Sequence, residues 1–191
     1  MAGLTTVGAF VRIPLPYVPF TLQVLFVLLA GVLLGARLGA LSQVVYLGLG
    51  LVGLPVFAGG AAGPASILMP TFGYIIGFVF AAYAVGLLTQ KTHTHRFLNI
   101  FLKMLAGLVL IYLPGVVYLY LNLNLIAGSP CSFQNAVLVG CLIFLPGDVA
   151  KAAIAAFITV KVKNRLPLAR QLAPGRQFDN KPPAGPKPAG G

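Results

Sequence analysis

Long apolar runs, broken by glycine and proline and hardly at all by charge, fill this 191-residue chain almost to residue 165. A soluble domain carries about 25% charged residues, whereas this one carries 8%, with 59% hydrophobic residues and a mean hydropathy of +0.96. About 20 apolar residues cross a bilayer as a helix. The chain is therefore expected to be an all-α membrane protein: one bundle of six transmembrane helices over residues 1–166, with a short first helix and re-entrant-like outer loops.

Six segments can be read. The first, 1–13, spans about 20 Å as a helix, short of the ~30 Å hydrocarbon layer. Its start has no basic region, so no cleavable signal is read there. Pro14, Pro16 and Pro19 then force an extended loop, because each lacks a donor and restricts its predecessor. The second segment, 22–34, turns at Gly35-Ala36-Arg37 into the third, 38–54. A Gly/Pro-rich loop runs from Val56 to Pro64. The fourth segment is 71–88 and the fifth 97–121, with a kink expected at Pro114-Gly115. Residues 122–130 read as polar and turn-like, and 132–144 as a short apolar helix leading into the sixth span, 147–162. From residue 167 to 191 the composition is Pro, Gly and basic, which reads as a disordered tail.

Net charge is +11, but its distribution is not a nucleic-acid footprint. Arg37, Lys91, Arg96, Lys103, Lys161, Lys163, Arg165 and Arg170 fall in alternate connections and at the C-terminus, whereas only Arg12 lies near a segment end on the other side. The positive-inside rule then makes both termini cytoplasmic in a multi-pass protein of the cell membrane. Lys and Arg at segment ends contact anionic lipid. With tryptophan absent, interface anchoring falls to Tyr and to these basic residues.

Within the first 178 residues there is one acid, Asp148. It begins the last span, and Lys151 shares its helix face three residues on. An ionisable group there costs about 2.5–3.5 kcal/mol on insertion scales, which points to use. The plainer alternative is an Asp at a helix start, paired with Lys151 for structure alone. Catalysis finds little support. No G-x-x-x-x-G-K-[ST] loop exists to bind ATP, and His93 and His95 lie in a basic turn on the face opposite Asp148. Cys131 and Cys141 match no metal spacing. Gly48-Leu49-Gly50-Leu51-Val52-Gly53 matches G-x-G-x-x-G but lies inside an apolar span with no acid following, so it reads as a helix-packing stripe. Gly73-x-x-x-Gly77 with Ala81, and Ala152-x-x-x-Ala156, read the same way. What remains is a binding site: Asp148 supplies an acceptor, Lys151 a donor, and Tyr17, Phe20, Phe57, Gly59, Gly60, Thr71 and Tyr74 the loop groups around them.

Five stretches, in order, are similar to the BioY family, the biotin-specific substrate-binding subunits of energy-coupling-factor (ECF) transporters. They are Ile13-Pro14-Leu15-Pro16-Tyr17-Val18-Pro19-Phe20-Thr21-Leu22-Gln23, residues 28–35, Gly53-Leu54-Pro55-Val56-Phe57-Ala58-Gly59-Gly60, Pro70-Thr71-Phe72-Gly73-Tyr74, and Phe144-Leu145-Pro146-Gly147-Asp148-Val149-Ala150-Lys151-Ala152. The resemblance covers residues 4–165. It implies six helices, a biotin pocket open to the outside, and association with a transmembrane coupling subunit and two ATPase subunits, which alone use ATP. It implies a ligand site of Asp148, Lys151, Tyr74, Thr71, Phe57, Gly59, Gly60 and Gln23, a gating loop with Pro16, Tyr17 and Phe20, and a docking face with Ala2, Gly3 and Thr6. No catalytic residue, metal or cofactor is implied. Biotin's ureido N–H groups suit a carboxylate, and its own carboxylate suits an ammonium. The residues by themselves leave open a subunit for another vitamin, and an intramembrane enzyme or purely structural bundle.

Overall fold

The computed structural model describes residues 1–90 and 96–165, with side chains to residue 162. The basic turn with Lys91, His93 and His95, and the tail from residue 167, lie outside the described residues. The chain is mostly helical. Among the described residues, four helical stretches are long and apolar enough to cross a membrane: Gln23–Val52, Phe72–Gln90, Phe97–Leu125 and Phe133–Val162. A nine-residue helix, α1 (Ala2–Phe10), precedes them.

Helix α2 (Gln23–Val52) is not straight. Gly35 sits at φ 81° and ψ 179°, a region essentially closed to residues with a Cβ. The chain reverses there. Gln23 donates from Nε2 to the Tyr46 hydroxyl at 2.6 Å, whereas 23 residues of straight helix would separate them by about 35 Å. A Cβ on Gly39 would come 2.9 Å from the Ala30 carbonyl oxygen. The two arms, 23–34 and 36–52, thus form an antiparallel hairpin, with the turn where the sequence places it.

Small residues set the packing of α2, α3 (Phe72–Gln90) and α4 (Phe97–Leu125). A Cβ on Gly31 would meet the Ala82 carbonyl oxygen at 2.6 Å, and one on Gly77 the Ile111 Cα at 2.8 Å. Gly73 lies against Tyr118, and Ala81 is fully buried, so the Gly73–Gly77–Ala81 stripe is a packing face. So is the face carrying Ala152 and Ala156. The run from Gly48 to Gly53 does not act as a stripe. Gly50 accommodates the Phe57 ring and Gly48 faces open space, while Gly53, at φ 113°, ends the helix. Helix α4 continues through Pro114 and one turn beyond the expected end at 121, to Leu125. Asn122 and Asn124 belong to that turn because their amides bond outside the helix ladder, Asn122 to the Leu68 carbonyl at 2.7 Å and Asn124 to that of Cys131 at 3.0 Å.

The last stretch begins with α5 (Phe133–Val137), whose first turn Ser132 caps by accepting the Asn135 N–H at 3.3 Å. A π-helical turn, Leu138–Leu142, and a bend lead into α6 (Leu145–Arg165). Two loops join the helices near one end of the site. Between α1 and α2 the strands β1 (Arg12–Ile13) and β2 (Phe20–Thr21) pair antiparallel. At the tip Val18 N–H bonds Pro16 O at 2.8 Å across Tyr17, which holds φ 66°, a strained γ-turn. Between α2 and α3 the chain makes short 3₁₀ turns at Ala58–Gly60 and Pro64–Leu68.

Candidate ligand-binding site

A cavity opens where the beginnings of α2, α3 and α6 converge on the middle of α4. Counted together with the open space at its mouth, it takes in about 570 Å³. Its walls include Val18, Ile75, Phe78, Ile111 and Phe144, and its polar groups gather on one side. The starts of three helices bring partial positive charge to this end.

Asp148 and Lys151 face the cavity from the first turns of α6 and are only 4% and 5% exposed. Lys151 Nζ lies 2.6 Å from Asp148 Oδ1 and 2.5 Å from the Thr21 carbonyl oxygen. Its third direction meets the Phe20 ring, 3.5 Å from the centroid. Tyr112 of α4 donates its hydroxyl proton to Asp148 Oδ2. Breaking a buried ion pair by removing one partner typically costs 3–5 kcal/mol, so these four groups hold one another in place. The Asp148 carboxylate spends both oxygens on side chains and caps no helix end, unlike an Asp whose task is helix initiation.

From Lys151 a hydrogen-bonded chain continues across the bundle. The Thr21 hydroxyl donates to Gln23 Oε1 at 2.9 Å, Gln23 donates to Tyr46, and Tyr46 donates to the Val56 carbonyl at 3.0 Å. Gln23 thereby orients its amide at the cavity wall.

Of the residues expected at the site, Asp148, Lys151, Tyr74, Thr71, Gln23 and Phe20 line the cavity. Tyr74 also donates to the Gly140 carbonyl at 2.7 Å, tying α3 to the π-helical turn. Phe57, Gly59 and Gly60 do not line it. Phe57 is buried edge-on to Tyr46, centroids 5.5 Å apart, in the space that Gly50 leaves. Gly59 lies under the Arg12 guanidinium, and both glycines hold positive φ. Ala58, between Phe57 and Gly59, lines the cavity instead. Pro16 and Tyr17 form the loop tip, and the neighbouring Val18 and Pro19 reach the cavity instead. On α1, Gly3 is exposed with no atom within 4 Å of a built Cβ, Ala2 is half-buried, and Thr6 back-bonds to the Ala2 carbonyl at 3.2 Å.

Sequence reasoning missed Tyr112. A buried tyrosine hydroxyl needs a partner, and this chain offers one carboxylate within its apolar segments. Tyr46 and Tyr74 are buried too and donate to the Val56 and Gly140 carbonyls, so those facts alone do not single out Tyr112. Gly140 and Phe144 carry no comparable signal, since the π-helical turn that presents them has no sequence signature.

Several known proteins resemble this chain in sequence and fold. Residues 1–168 match the BioY family. A probable biotin transporter BioY of Lysinibacillus sphaericus is 44% identical over 161 residues, covering 84% of this chain and 82% of the relative. The biotin transporter BioY of Thermotoga maritima is 39% identical over 161 residues, 84% and 90% of the two chains. The crystal structure of the S-component for biotin from an ECF-type ABC transporter superposes with a TM-score of 0.76 at 28% identity, covering 86% of this chain and 87% of that one. Motif order, cavity and likeness over most of the chain lead to one conclusion: the protein belongs to the BioY family.

Proposed function

We propose that this chain captures biotin at the outer face of the cell membrane, as the substrate-specific subunit of an ECF-type ABC transporter. The observation that carries the reading is the buried Asp148–Lys151 pair facing a cavity whose other walls are largely apolar and aromatic, in a chain similar to biotin transporters. Biotin presents two ureido N–H donors, a carboxylate, and an apolar body between them. The N–H groups suit the Asp148 end and the fused rings suit Phe78, Ile111 and Phe144. Its carboxylate lies at the far end of that apolar body, away from the Asp148–Lys151 pair, whose two charged groups are 2.6 Å apart.

The protein is a transporter component rather than an enzyme. Its work is binding and passage, with no bond made or broken by its own groups. The sequence has no phosphate-binding loop, so energy must come from partners, a transmembrane coupling subunit and two ATPases. Ala2, Gly3 and Thr6 on α1 are the proposed docking face, because small residues admit close helix approach. Six crossings follow if α1, the two arms of α2, α3, α4 and α6 each traverse the bilayer. The basic residues then place both termini in the cytoplasm and the two site loops outside. Isothermal titration of the purified protein with biotin and a panel of other vitamins tests the reading, with mass spectrometry of co-purifying small molecules. Biotin alone should bind tightly, and tight binding of a different vitamin in its place would refute the assignment.

A further inference from the structure

Tyr112 stands apart from the residues that the family resemblance brings to the site. It comes from the middle of α4, whereas Asp148 and Lys151 come from α6, Thr21 and Gln23 from β2 and the start of α2, and Thr71 and Tyr74 from the start of α3. Its ring is buried, edge-on to Tyr74 with centroids 6.3 Å apart, and its one hydroxyl proton goes to Asp148 Oδ2. The other carboxylate oxygen is held by Lys151 at 2.6 Å. Tyr74, the other cavity tyrosine, has its proton committed as well, to the Gly140 carbonyl.

This accounting has a chemical consequence. A phenol has one donor and two acceptor lone pairs, and an ionised carboxylate has acceptors only. With Tyr112 donating to Asp148, neither group has a proton left for a ligand. We infer that Tyr112 is a positioning and specificity-determining residue: it holds the Asp148 carboxylate in place and, with its own proton spent there, the two groups face the ligand as acceptors only, beside the Lys151 ammonium, so that they select a ligand edge bearing N–H donors. A ligand presenting only a carbonyl or ether oxygen to Asp148 and Tyr112, with no N–H for them, would leave its acceptor unpaired against theirs, and is disfavoured for that reason. The inference rests on the biotin reading for the identity of the donor edge, which in biotin is the ureido group.

The test is a double-variant cycle read by titration with biotin: wild type, Tyr112→Phe, Asp148→Asn, and both together. Tyr112→Phe should weaken binding about tenfold in the wild-type background. In the Asp148→Asn background the same change should cost less than about threefold, because the charged acceptor that Tyr112 positions is already gone. Equal losses in both backgrounds would overturn the inference, since a packing role does not depend on the charge at position 148. A second measurement uses the native protein and so does not depend on any variant folding. The chain has two acids in all, Asp148 and Asp179, so infrared difference spectra with carbon-13 aspartate can isolate Asp148. An ionised carboxylate stretch that shifts on adding biotin is expected. A neutral carboxylic acid band would overturn the inference, because Asp148 would then be the donor and Tyr112 the acceptor. Failure of wild-type protein to bind biotin refutes the functional reading itself, and is seen before any variant is compared.

Discussion

Removing the Phe20 ring should open the cavity without dismantling it. Loop 53–71 is held to the bundle by Tyr46 on Val56 O, Tyr118 on Ile67 O and Asn122 on Leu68 O. The strand pair over the cavity has a weaker hold. Among the described residues, the side chain from α6 that bonds it is Lys151, through Thr21 O, and the same ammonium lies against the Phe20 ring. Phe20 also stacks on Phe144, centroids 6.2 Å apart, and covers Gly147. A desolvated cation–π contact contributes about 0.5–2 kcal/mol and an aromatic pair about 0.5–1.5 kcal/mol. Phe20→Ala therefore favours the open loop by about 1–3.5 kcal/mol, a factor of about 5 to 300 at 1.4 kcal/mol per tenfold. The assay is release of radiolabelled biotin from detergent-solubilised protein into excess unlabelled ligand. The release rate should rise by that factor, and Phe20→Leu, which keeps bulk but not the π face, should give an intermediate rate. Unchanged release from the alanine variant would refute the claim that this ring is the latch.

Asp148→Asn should weaken biotin binding tenfold or more by titration, since a charge-assisted bond is worth about 1.5–3 kcal/mol, while the protein remains folded because the amide still accepts from Lys151; near-normal affinity would remove Asp148 from the site. For orientation, Cys131 and Cys141 are replaced first. Ala127→Cys should then react with an impermeant thiol reagent from outside and Thr94→Cys should not, with reversed labelling overturning the six-crossing arrangement. In liposomes the subunit alone should bind biotin without concentrating it, and accumulation should require the coupling subunit, ATPases and ATP. Ala2→Trp should weaken that assembly and spare biotin binding, whereas ATP-independent accumulation would point instead to an ion-coupled carrier with Asp148 as its proton site.

What the sequence made legible follows from how local the signals are. The hairpin at Gly35 was readable because a Gly-Ala-Arg break between two apolar runs is a local feature. Asp148 and Lys151 were readable because a charge in hydrocarbon is costly wherever it points. Phe57 was misjudged because an aromatic in a loop can turn either way, and the choice was made by Gly50, seven residues earlier, which leaves room for the ring. Asn122 and Asn124 suggested a turn because polarity is read along the chain, whereas the carbonyls they bond belong to Leu68 and Cys131. Tyr112 reaches Asp148 across 36 positions, and no periodicity within α4 announces such a partner.

The reversal at Gly35 also bears on how the chain enters its membrane. Gln23–Val52 is 30 residues long, and as one rod it would reach about 45 Å, half as long again as the hydrocarbon layer is thick. Its sequence alone lets a translocation channel treat it as a single oversized span. Against the proposed arrangement, every segment downstream would then emerge on the opposite side, and Asp148 would face the other compartment. One backbone angle, available to glycine and essentially no other residue, converts that rod into two shorter strokes whose ends return to the same surface. In the proposed six-crossing arrangement, the parity of the protein, and so the compartment from which its cavity fills, hangs on a side chain that is absent.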